Sequence, residues 1–325
     1  MMTRALQTLL ASSIDYAGLF PPAKLPMPTA AENFARDRAG LHTPLLGRFI
    51  CPASRLPELS AAAAPLMPGT FATSGYREHA RTTDDPWRVS VIADGVTNSP
   101  ADPLGALKRD LDAVIAFNTR HAAEDHGLAQ ADCIELKPPS PDFIDAACDE
   151  IPDDLYPFFE IAPDSPDPRG FIAALPGHAA AAKLRTGGLT PDAFPSSASV
   201  AAFLHACALA AIPFKATAGL HHPFRGPFNC TYEPSSPRAT MHGFVNLAVA
   251  ATLTLAHRLA PRDTQSILDE SDPAAFVFTD DGLTYKHRWV ADPTQIALAR
   301  ETFFLSFGSC SFDEPLADLK SAGLL

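Results

Sequence analysis

The sequence predicts an α/β fold, a (β/α)8 TIM barrel formed as one domain over residues 1–325, and three observations carry that prediction. Short apolar and aromatic runs recur along the chain, each ending in a polar or Gly/Pro cluster and each followed by a segment with helical spacing. Strands buried on both faces read as near-continuous apolar runs, and their alternation with helices at this rhythm marks a parallel sheet. Of the 325 residues, 46% are hydrophobic and 19% charged, enough apolar material for one large core.

The strands follow in order. SIDY at 13–16 opens the series and precedes a Pro-rich loop and a helix over 29–38. GRFIC at 47–51 and RVSVIA at 88–93 come next, then a helix over 104–121 with apolar residues at Leu104, Leu107, Leu111, Val114, Ile115 and Phe117. DCIEL at 132–136, LYPFFEI at 155–161, AAAKLR at 180–185 and IPFKAT at 212–217 continue the rhythm, with apolar helices over 199–211 and 242–259. TFFLSF at 302–307, followed by GSCS and a short helix over 315–320, completes eight strands. Two segments depart from the pattern. The loop after strand 7, at 219–238, is long and contains four prolines, and long loops are often functional. FVFTDDGLTYKHRW at 276–289 carries Asp281-Gly282 between β-prone runs, which predicts an inserted β-hairpin near 274–290.

Charge and composition exclude several classes. There are 37 acidic against 25 basic residues, a net charge of −12, which argues against nucleic acid or an anionic membrane surface as partner. No run of eighteen apolar residues is present, so no membrane span is expected. The N-terminus has one Arg before a short apolar run, too little for a signal peptide, and the six cysteines are scattered without a CxxC pair. Cys133, Cys148 and Cys207 read as small core residues, and the cytoplasm is the expected location. The 32 prolines are about twice the usual ~5% share and read as stiffening of strand-end loops.

Lysine is scarce: seven against eighteen arginines. Two of the seven, Lys183 and Lys215, fall inside predicted strands. In a barrel the active residues lie at the C-terminal strand ends, and those positions hold Asp15, Asp94, Glu135, Glu160, Lys183 with Arg185, Lys215 with Thr217, and then His221 and His222. A lysine that is desolvated or set beside another cation has a lowered pKa and can form a Schiff base with a carbonyl. The alternative is that both lysines pair with Glu135 and Glu160 in a structural ion network.

The series SIDYAGLF, FFEIA, KLRTGG and FKATAGL resembles the strands of the deoxyribose-phosphate aldolase group of class I aldolases. The resemblance covers four or five short strands and implies a TIM barrel with Schiff-base chemistry. It implies Lys183 as the Schiff-base lysine, Lys215 as the partner that lowers its pKa, Glu135 in place of the family's proton-shuttling Asp, and Glu160 as the strand 5 Glu. Gly308 and Ser309, in GSCS, fall where the family binds phosphate. The chain departs from the family at Arg185, where a small hydroxyl residue is usual, and neither HHPFRG nor the 276–289 segment has a counterpart.

These residues lead to an expected enzyme, a lyase acting on a small anionic carbonyl compound without a cofactor. Lys183, Lys215, Glu135, Glu160, His221 and His222 would be catalytic, while Asp15, Arg185, Thr217, Arg225, Gly308 and Ser309 would bind substrate. A second reading places Zn, Mn or Fe on His221, His222, His242 and Glu160, giving a metal-dependent lyase, isomerase or hydrolase. A third is a non-catalytic ligand-binding or assembly barrel, with the apolar 242–259 helix as a subunit interface. A homo-oligomer is the expected assembly.

Overall fold

The computed structural model describes residues 2–69, 85–165 and 167–325. Eight parallel strands close into a barrel in the order β1-β13-β7-β6-β5-β4-β3-β2. They are β1 (Ile14–Tyr16), β2 (Leu46–Pro52), β3 (Trp87–Ile92), β4 (Ala129–Leu136), β5 (Tyr156–Ile161), β6 (Ala181–Arg185), β7 (Phe214–Thr217) and β13 (Phe304–Ser309). Each overlaps one of the eight apolar runs, and helices separate them.

Local chemistry accounts for the helices. The helix Pro103–His121 starts with proline, whose missing N–H costs nothing at the first turn, and the Asp102 side chain accepts from the Gly105 N–H. Ser196 caps Ser197–Ala210, and Asp292 with Gln295 forms a capping box on Pro293–Thr302. Pro191–Ala210 reaches the length and mean hydropathy of a membrane span, although it contains no unbroken apolar run of that length. In the barrel, Val200, Phe203, Leu204 and Cys207 of this segment are buried, so its apolar character is that of an outer barrel helix with a core-facing stripe.

The two departures in the sequence are both β-structure. The loop after β7 contains a two-stranded antiparallel ribbon, β8 (Gly226–Asn229) with β9 (Arg238–Met241). The insertion is an antiparallel sheet of three strands, β10 (Phe276–Phe278), β11 (Leu283–Tyr285) and β12 (Trp289–Ala291), in which Gly282 makes the first turn. This sheet and the helices around it cover the helix Phe244–His257, in which every residue from Phe244 to Thr254 is buried. That helix is therefore internal to the chain, which corrects its reading as a subunit interface.

Alternation along each strand separates two environments. Ile134 and Leu136 on β4, Phe159 and Ile161 on β5, and Ala182 and Leu184 on β6 belong to the main core between strands and helices. Cys133, Phe158 and Ala181, one position out of phase, form a small apolar cluster of their own. Continuing that second phase by two residues gives Glu135, Glu160 and Lys183. The barrel thus has an apolar layer below a charged one, and Lys215 Nζ lies over the Phe158 ring at 5.1 Å.

Candidate active site

The charged layer is built by strand register. Glu160 on β5 pairs with Lys183 on β6, which pairs with Lys215 on β7, so the three Cα positions lie side by side. Their side chains join with those of β1 and β4 into one alternating chain of charge. Lys215 Nζ donates to Asp15 Oδ2 at 2.6 Å and to Glu135 Oε1 at 2.7 Å. Lys183 Nζ sits 2.8 Å from Glu135 Oε2 and 2.8 Å from Glu160 Oε2. Arg185 Nη1 closes the chain at Glu160 Oε1, 3.2 Å away. Two hydroxyls add support: Ser90 donates to Glu135 Oε1 at 2.6 Å and Ser306 to Asp15 Oδ2 at 2.7 Å.

Three carboxylates meet three cations, of which Lys183 and Lys215 are buried and Arg185 reaches solvent, so every buried charge has a partner. Burial alone would raise the Glu135 carboxyl, but the Lys183 and Lys215 charges outweigh it and hold Glu135 well below the usual carboxylate range. Burial likewise opposes the shift at Glu160, which Lys183 and Arg185 hold below its ordinary value. Burial alone would lower both lysines; Glu135 with Glu160 holds Lys183 above the ordinary lysine value, and Asp15 with Glu135 does the same for Lys215. The expectation that Lys215 lowers the pKa of Lys183 does not describe this resting arrangement. Carboxylates interleave the two ammonium groups, and their attraction exceeds the repulsion between the lysines.

The two lysines differ in access. Lys215 is 1% exposed and lies beneath the cavity, whereas Lys183 lines it. Both lysines bridge two carboxylates at close range, Lys215 at 2.6 and 2.7 Å and Lys183 at 2.8 Å to each. Lys183 is the one of the two ammonium groups that lines the cavity.

Above the charge chain the barrel mouth holds two adjoining spaces. One, of about 310 Å³, is lined by Phe20, Pro21, Ile50 and Leu189 together with Thr217, Gly308, His221 and Cys310. The other, of about 430 Å³, is lined by Thr97 and Lys137. Ile92, Glu135, Glu160, Lys183 and Arg185 line both, so Lys183 stands at their junction.

His221 is a further ionisable group on the 310 Å³ space, beyond the charge chain. Its Nδ1 lies 3.6 Å from Cys310 Sγ and 3.6 Å from Glu314 Oε2, while Tyr232 Oη donates to Glu314 Oε2 at 3.1 Å. Burial lowers the basicity of His221, but the Cys310 and Glu314 contacts outweigh it and raise the pKa to about 9. Its Nε2 has no protein partner among the described residues.

Several candidates lie elsewhere. Asp15 is 0% exposed and takes the Arg48 N–H on Oδ1, so it anchors Lys215 rather than binding substrate. His222 turns out of the cavity: it stacks on Phe228 at 3.5 Å and bonds Asp318 at 2.6 Å. His242 is buried with Nε2 donating to the Pro195 carbonyl at 2.8 Å, and burial lowers its pKa. Arg225 pairs with Asp269 at 3.5 Å, away from the mouth. The Ser309 hydroxyl is used locally, donating to the Ser311 carbonyl at 2.7 Å. With His222 and His242 so placed, the set His221, His222, His242 and Glu160 does not converge, and among the described residues no group of three or more His, Cys, Asp or Glu could hold a metal ion.

Sequence reasoning missed Lys137, Thr97 and the Tyr232–Glu314 pair beside Cys310. Lys137 carried a usable signal: it is one of only seven lysines and directly follows the strand whose last two residues are Glu135 and Leu136. Compared with family models, curated proteins and solved structures, the chain matches none.

Proposed function

We propose that the protein is a lyase of the class I aldolase type, forming a Schiff base between Lys183 and a small anionic carbonyl compound. The observation that supports this most is one lysine at the junction of two cavity spaces, held by Glu135 and Glu160, with a second lysine buried behind it. The partial likeness of the strand motifs to deoxyribose-phosphate aldolases agrees with it.

The chemistry follows from the charge chain. Lys183 gives its proton to Glu160, and the free amine adds to the carbonyl carbon. The resulting carbinolamine loses its oxygen as water, taking the Glu160 proton with it, and leaves a protonated imine. Glu135, kept ionised by Lys215, stabilises that cation. The imine draws electrons from the neighbouring carbon–carbon bond, which lets that bond break or form. His221 stands on the wall of the 310 Å³ space and serves as the proton donor or acceptor for the second fragment. Asp15 and Lys215 position these groups without touching substrate.

Borohydride reduction with a panel of aldehydes and 2-oxo acids tests the reading by intact mass. We expect one adduct per chain in the native protein and none in Lys183→Met. No adduct across the panel, or full labelling of Lys183→Met, would sink it.

A further inference from the structure

We propose that the substrate is a 2-oxo acid, with its carboxylate held by Arg185 and Lys137 and its carbonyl over Lys183. The inference rests on the imine reading above and adds the identity and position of the anionic group.

Glu160 supplies the ruler. Its two oxygens touch Lys183 Nζ at 2.8 Å and Arg185 Nη1 at 3.2 Å, so a single carboxylate spans both cations. An anion placed on Arg185 therefore lies one or two bonds from a carbonyl carbon at Lys183. That spacing fits a carboxylate attached directly to the carbonyl and is too short for a phosphate at the far end of a sugar chain. Arg185 has donors to spare: its side chain is 46% exposed and makes one contact to Glu160 among the described residues. A guanidinium presents up to five N–H donors in a planar fork suited to a carboxylate.

Lys137 is the second cation. It is exposed, lines the 430 Å³ space with Arg185, and has no ion-pair partner among the described residues. It follows β4 directly, and Pro138 and Pro139 restrict the backbone after it. The place where the family resemblance puts phosphate offers little by comparison. The Ser309 hydroxyl is bound to Ser311, and the Ser309 carbonyl accepts from the Ala17 N–H. The opposite, 310 Å³ space has Phe20, Ile50 and Leu189 on its walls. A substrate lying across Lys183 thus has its carboxylate on the side where Lys137 joins Arg185, and its remainder between these apolar walls and His221.

The test measures half-saturating concentrations for borohydride trapping with pyruvate, acetaldehyde and glyceraldehyde 3-phosphate. We expect pyruvate to saturate at a concentration at least tenfold below either of the others. Lys137→Met should cut that preference about tenfold, and Lys137→Arg, which keeps the charge, should retain it. Equal saturation by pyruvate and acetaldehyde, a preference for the phosphate ester, or an unchanged preference in Lys137→Met would each overturn the proposal. Calorimetric binding of oxalate reports the carboxylate site without any imine. Oxalate binding that weakens in Lys137→Met while no carbonyl is trapped would defeat the Schiff base and leave the anion site standing. Oxalate binding unaffected by Lys137→Met would defeat the anion site.

Discussion

Lys183 and Lys215 look alike in sequence, and their different surroundings give them different expected behaviour. Lys215 is enclosed, 1% exposed, and bridges Asp15 and Glu135. Lys215→Met leaves Asp15, which is fully buried, without its lysine, and leaves Glu135 with Lys183 alone. Removing one partner from such a buried pair costs about 3–5 kcal/mol, so the variant should melt well below the native protein in a thermal scan. Lys183→Met also exposes a deficit, but Arg185 still holds Glu160 and Lys215 still holds Glu135, so its loss of stability should be the smaller. Equal destabilisation would mean that both lysines are purely structural. The pH dependence of trapping is a further check. Glu135 and Glu160 keep Lys183 protonated above the ordinary lysine value, so the amine is scarce near neutrality and increases with pH. Trapping rate should therefore rise from neutral into alkaline pH. A rate that falls over that range would contradict the arrangement.

Part of this residue-level picture was legible. The spacing Lys183–Arg185 and Lys215–Thr217 puts each pair on one face of its strand, and all four residues reach the barrel interior or its mouth. The histidines and Arg225 were not legible, because loop residues have no such period. Whether His221 or His222 faces the cavity depends on contacts to Phe228, Asp318 and Cys310, all distant in sequence or set by the β8–β9 ribbon.

At the scale of elements, the loops after β6 and β7 are held together by glycines. Gly219 has φ +74°, and a methyl group there would meet the Phe194 ring at 2.7 Å and Gly187 Cα at 3.1 Å. The Thr186 hydroxyl crosses the same gap to the Thr217 and Ala218 carbonyls. This is the physical role of the glycine that follows FKATA: it lets two strand-end loops approach closely and sets Thr217 and His221 at the mouth. Gly219→Ala should cost about 1–3 kcal/mol through left-handed backbone strain and should also weaken carbonyl trapping. A variant with native melting temperature would show that the close approach is not required. The eight strands were readable because each is a short apolar run bounded by turn residues. The ribbon β8–β9 was not, because GPFN and RATM are short and poor in β-branched residues. The Asp281-Gly282 turn was visible, but the third strand of its sheet, WVA, is too short to carry a period.

At the scale of the whole molecule, the charge chain ties stability to pH from both sides. Glu135 and Glu160 have folded values below their ordinary ones, so the stability they contribute is present above the ordinary carboxylate range and lost as pH falls through the folded values. Lys183 and Lys215 have raised values, so their contribution is present below the ordinary lysine pKa and lost as pH rises through the raised ones. The melting temperature should therefore show a plateau between those two ranges and fall at both ends. In Lys215→Met the acid-side fall should begin at higher pH, because Glu135 loses one of the two charges that keep it ionised. The most direct measurement is a peptide map of the protein reduced with borohydride in the presence of pyruvate. The adduct mass should appear on the peptide carrying Lys183 and not on that carrying Lys215. An adduct on Lys215, or on no lysine of the barrel, would contradict a Schiff base at Lys183.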